Sequence, residues 1–112
     1  MAETYKRLAQ GRLPASGGTT KLYDVPSSTQ AIIKSINISN NTGTAREVTL
    51  HHTDNAASSL ADTDIILPGV SIQAGGWAEY DGTICMAATT EIHGFAAVTD
   101  VISYTIWGVE IT

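Results

Sequence analysis

The chain reads as an all-β protein, a jelly-roll-like antiparallel β-sandwich with an extended N-terminal arm. Three observations predict this. No long segment repeats its apolar residues every 3.6 positions, so little helix is expected. Short β-branched runs recur instead at intervals of about ten residues, separated by Gly, Pro, Asn and Asp. A chain of 112 residues forms one domain, and about eight or nine such runs suffice for two packed sheets.

Residues 1–19 stand apart as arm or edge strand, with the sandwich proper over 20–112. "YKRLAQGRLPASGGTT" (5–20) mixes charge, Gly, Pro and Ser around the isolated anchors Tyr5, Leu8 and Leu13, and Gly17-Gly18 marks a flexible joint. Two readings stay open. The segment lies as an arm along a neighbouring subunit, docking those side chains, or residues 4–10 form an edge strand of their own sheet. "TKLYDVP" (20–26) is a short strand stopped at Pro26, which cannot donate to a ladder.

In "AIIKSINIS", Ile36 and Ile38 alternate with Ser35, Asn37 and Ser39; in "EVTLHH", Val48, Leu50 and His52 share the inward phase while Glu47, Thr49 and His51 point out. "NNTGT" between them is turn chemistry, so residues 29–52 are expected to form a β-hairpin. "TDNAASSLADTD" (53–64) is a polar loop. Ile65–Leu67 is a strand stopped by Pro68-Gly69, and Val70 and Ile72 belong to another. Gly75-Gly76 punctuates, Trp77 and Tyr80 stand around a turn at Asp81-Gly82, and a tight turn falls near Thr99-Asp100. In the last strand Ile102, Tyr104 and Ile106 share a phase, but Val109 and Ile111 take the opposite one. Either a β-bulge sits at Trp107-Gly108, or the strand is buried on both faces, one of them against a neighbour.

Composition narrows the function. Hydrophobic residues at 43% specify a folded chain, while charged residues at 15% fall below the usual ~25%. Much of the polar surface is therefore small and uncharged, which suits a protein with protein neighbours. A net charge of −5 argues against nucleic acid as partner. Three of the six basic residues, Lys6, Arg7 and Arg12, lie in the first dozen positions, a short basic segment able to meet an acidic surface. No apolar run approaches the ~18–20 residues of a membrane helix and the start carries no apolar stretch, so a soluble chain made in a cytoplasm and away from membranes is expected. The single Cys85 excludes an internal disulfide and, in the apolar run "GTICMAAT", is expected to be a small buried hydrophobe.

Candidates for chemistry are few. His51, His52 and Asp54 are close in sequence, but adjacent strand residues point to opposite faces and His93 is distant, so no metal site is expected. Asp62 and Asp64 lack the Gly and Glu of a calcium loop. There is no G-x-S-x-G elbow and no phosphate-binding G-x-x-x-x-G-K-[ST] loop. An enzyme is not expected, and neither is a cofactor. Tyr5, Tyr23, Trp77, Tyr80, Tyr104 and Trp107 remain divisible among core, interface anchor and sugar-stacking platform.

The order "LYDVPSSTQAIIKSINISNNTGTAREVTLHH", then "LPGVSIQAGGW", then a terminal "WGVEIT" resembles small virion structural proteins of tailed bacteriophages, over residues 4–112. The order of these motifs and the ending carry the likeness. One departure is Ala74-Gly75-Gly76, where the family often has A-G-D, so any role of that carboxylate does not transfer. The resemblance implies a capsid decoration (cement) protein or a tail-associated component. Its expected partners are the major capsid protein and its own copies, as a homodimer or homotrimer, on the capsid surface of a virion assembled in the bacterial host. The residues expected at the protein interface are Tyr5, Lys6, Arg7, Leu8, Arg12, Leu13, Trp77, Tyr80 and Trp107.

Overall fold

A computed structural model of the chain describes residues 3–14, 21–53, 65–96 and 101–112. These residues hold eight strands: β1 (Glu3–Arg12), β2 (Lys21–Asp24), β3 (Gln30–Asn40), β4 (Arg46–Thr53), β5 (Ile65–Ile72), β6 (Trp77–Met86), β7 (Glu91–Ala96) and β8 (Ile102–Ile111). They pair antiparallel in two four-stranded sheets, β1-β8-β3-β6 (sheet A) and β2-β7-β4-β5 (sheet B). The sheets pack as a sandwich over one core. Period-two alternation supplies the two inner faces: Ile33, Ile36, Ile38, Ile102 and Ile106 come from sheet A, and Val48, Leu50, Ile92 and Ala96 from sheet B, all essentially inaccessible to solvent.

The expected hairpin over 29–52 does not form. β3 lies in sheet A and β4 in sheet B, so residues 41–45 arch across the sandwich. The alternation of each strand was legible, but alternation says which face is buried and not which strand lies alongside. Asn40 closes the arch. Its fully buried amide donates to the carbonyls of Thr44 (2.9 Å), Ile72 (2.9 Å) and Gln73 (3.2 Å), and its Oδ1 accepts from the Thr42 backbone N–H (3.0 Å) and Oγ1 (2.6 Å). A turn residue by composition is thus a polar staple joining the arch to the β5–β6 connection.

Other boundaries also shift. Pro68 does not divide two strands; β5 runs through it, because β5 is a sheet edge and its register against β4 slips there. β6 runs through Asp81-Gly82, where the chain bulges and does not turn. Gly75 (φ 68°) does make the turn before β6. The polar loop at 54–64 and the turn at Thr99-Asp100 lie outside the described residues, as do Gly17-Gly18.

Residues 3–12 take the edge-strand reading. β1 is paired with β8 along its length, and Leu13 is fully buried in the same core, donating its N–H to the Ile102 carbonyl (2.9 Å). Over these residues there is no free arm, and they belong to the same sandwich as the rest. The phase slip at the end of the chain has a related cause. β8 alternates without interruption, and the extra residues stand in its two neighbours, Lys34 of β3 opposite Trp107-Gly108 and Leu8 of β1 opposite Ile106-Trp107. The bulge is therefore beside the expected place and not in it. A Cβ on Gly108 would overlap the Ile32 carbonyl, so glycine is what lets β3 come this close.

Candidate interaction surface

Uninterrupted alternation in β8 sends Ile102, Tyr104, Ile106, Gly108 and Glu110 toward the core, and Ser103, Thr105, Trp107, Val109 and Ile111 to the outside of sheet A. Cross-strand register extends those outward positions into rows across β1, β8, β3 and β6. One row is Tyr5, Val109, Ile32, Cys85. The next is Arg7, Trp107, Ser35, Asp81, then Gln10, Thr105, Asn37, Glu79, and last Arg12, Ser103, Ser39, Trp77. Val109 and Ile111 are thus not core residues out of phase. They belong to a second apolar face, which the sequence allowed as the alternative to a bulge.

This face carries the exposed large hydrophobics of the described residues: Tyr5 at 77% exposure, Trp77 at 73% and Trp107 at 45%. Val109 is covered between its neighbours Tyr5 and Ile32, while Ile32 and Ile111 are half-buried. Cys85 is exposed here, against the expectation of a buried thiol, because the outward phase of β6 carries it. Arg7 and Arg12 project from one edge, β1, which also carries Glu3, and Glu79 and Asp81 from the other edge, β6; the middle strand β3 carries the exposed Lys34 at its bulge.

The nine residues expected at an interface separate cleanly in three dimensions. Tyr5, Arg7, Arg12, Trp77 and Trp107 share this face. Leu13 is core, and Leu8 and Tyr80 are partly buried against it, so these three pack within this chain's own sandwich. Lys6 turns inward, its Nζ 2.7 Å from Oε1 of Glu110, whose Oε2 accepts from Tyr23 Oη at 2.5 Å. The Lys6 hydrogen bond, followed by that of Tyr23, holds the Glu110 carboxyl below its ordinary value; burial pushes the Tyr23 hydroxyl up, reinforced by Glu110. Sequence reading missed Ile32, Glu79, Asp81 and Cys85, for which only the pairing of β3 with β6 gives the address.

Sheet B carries a different polar group. Glu91 Oε1 lies 2.9 Å from His93 Nε2 and Oε2 lies 3.0 Å from Lys21 Nζ, tying β2 to β7; the Glu91 hydrogen bond raises Lys21. His51, expected outside, is buried opposite His93 with its ring 5.9 Å from Phe95. Among the described residues no three or more His, Cys, Asp or Glu side chains are grouped to hold a metal ion. No described helix is long and apolar enough to cross a membrane.

No family model matches this chain, and a search of curated proteins finds no match either. What bears on its role is the surface itself. Tyr5, Trp77 and Trp107 stand exposed on that one face, which makes it the candidate contact surface among the described residues.

Proposed function

We propose that this chain is a capsid decoration protein of a tailed bacteriophage, a tile that binds the major capsid protein lattice and stabilises the mature head. The observation that carries the reading is the outer face of sheet A, where three large aromatics stand exposed on one ordered sheet. Aromatic anchors on a rigid platform give protein–protein contacts at low entropic cost. The strand orders β1-β8-β3-β6 and β2-β7-β4-β5 support reading the sandwich as a jelly roll, an architecture used in viral capsids. Many copies on one shell turn modest contacts into large avidity, because each added contact is effectively intramolecular. β1, an edge strand of sheet A among the described residues, offers a neighbouring strand a further ladder of backbone donors and acceptors.

A second reading, a tail or fibre adaptor, uses the same face at another place in the particle. A third has one observation of its own: an open depression of about 460 Å³ beside Trp77, lined by Asn37, Ser39 and Glu79, pairs a stacking ring with polar groups suited to a sugar. Titration with a glycan panel, read by tryptophan fluorescence, tests it.

The test of the main reading is uptake by purified, expanded capsids. The protein should bind stoichiometrically and raise the temperature at which the capsids rupture, and Trp107→Asp should abolish both while leaving the fold intact. Binding to tails with no uptake by heads overturns it in favour of the adaptor.

A further inference from the structure

We propose that the outer face of sheet A is self-complementary: two copies pack face to face about a two-fold axis parallel to the strands, between β8 and β3. This rests on the reading of that face as a protein-binding surface and names its occupant in the free protein, which the capsid lattice displaces.

Such an axis keeps every row level and exchanges the edges of the sheet, setting β1 over β6 of the second copy and β8 over its β3. In one edge row base and acid then face each other. Arg7 lies over Asp81 of the second copy, and by symmetry the pair occurs twice. Trp107 lies over Ser35, Tyr5 over Cys85 and Val109 over Ile32, so two of the three aromatics meet a small side chain. Gln10 lies over Glu79 and Arg12 over Trp77. The alternative axis, running across the strands through the Tyr5 row, stacks Tyr5 on Tyr5 and leaves Glu79 and Asp81 without counter-charges. Charge therefore selects the first.

The area is sufficient. Four strands about 4.8 Å apart and about 3.3 Å per residue over a ten-residue strand give a face of roughly 600 Å² in plane. Side-chain relief brings this near the ~800 Å² per partner of a standard interface.

Sedimentation equilibrium of the full chain reads the outcome. The wild type should show a monomer–dimer equilibrium. Trp107→Asp should weaken it at least about 100-fold, since it buries a charge at the centre. Arg7→Asp and Asp81→Arg should each weaken it about 10-fold, and the double variant should regain the wild-type constant. Within one copy the two positions lie on opposite edges of the sheet, about 14 Å apart at three strand spacings, so recovery reports the contact between copies. A wild type monomeric at about millimolar concentration, where even weak specific pairs associate, overturns the proposal, and so does a double variant that stays weak. Capsid uptake is scored separately: a monomer that decorates capsids overturns this interface and leaves the decoration reading standing.

Discussion

Glu110 is placed by alternation on the inner side of β8, where a lone carboxylate is costly. Lys6 and Tyr23 make it tolerable, one from each sheet, so a single side chain joins β1, β8 and β2. Because the folded carboxyl is held below its ordinary value of 4.5, this group adds stability above about pH 4.5 and loses it as pH falls through the lower folded value. Urea midpoints should fall as pH drops below 4.5, and Glu110→Gln should flatten that dependence while lowering stability near pH 7 by about 1–3 kcal/mol. A wild type whose midpoint is level from pH 6 to pH 3 contradicts this. The signal in the sequence was weak: "WGVEIT" shows a glutamate in an apolar strand but not the lysine that meets it, which lies over a hundred positions earlier.

At the scale of the strand, β8 decides most. It is paired on both sides, with β1 and β3, and both neighbours insert an extra residue beside Trp107, β3 opposite Trp107-Gly108 and β1 opposite Ile106-Trp107. The sequence showed a discontinuity there and a glycine beside it. It did not show which strand bulged, because a slip in the apolar phase is the same whether the core changes side or a second apolar face begins. Gly108→Ala should cost at least about 2 kcal/mol, since the new Cβ meets backbone at Ile32 and not a movable side-chain tip. Thermal melts check this, and a melting temperature within a degree of wild type refutes the close approach. Leu13 teaches the same lesson in reverse: isolated among polar residues it reads as an anchor for a neighbour, yet it closes this chain's own core.

For the molecule as a whole, all but one of the connections between consecutive strands cross from one sheet to the other; only β4 and β5 are consecutive and adjacent. Deleting residues 1–12 therefore does not trim a tail. It removes the edge of sheet A, bares β8 and unseats Leu13, so the truncated chain should lose its cooperative unfolding transition and not merely its partner. A truncated chain that melts as sharply as the full one would restore the free-arm reading.

The sequence by itself determined that the chain is all-β, where most strands lie, and which residues of β3, of β4 and of β8 as far as Ile106 turn inward. Those follow from period-two alternation and local turn chemistry, which neighbours in the chain encode. Only the tertiary structure decided that β3 and β4 part into opposite sheets, that Cys85 is exposed and His51 buried, and that Arg7 and Asp81 stand at opposite edges of one sheet face. Pairing between strands distant in sequence is settled by the packing of all eight together, and no local pattern carries it.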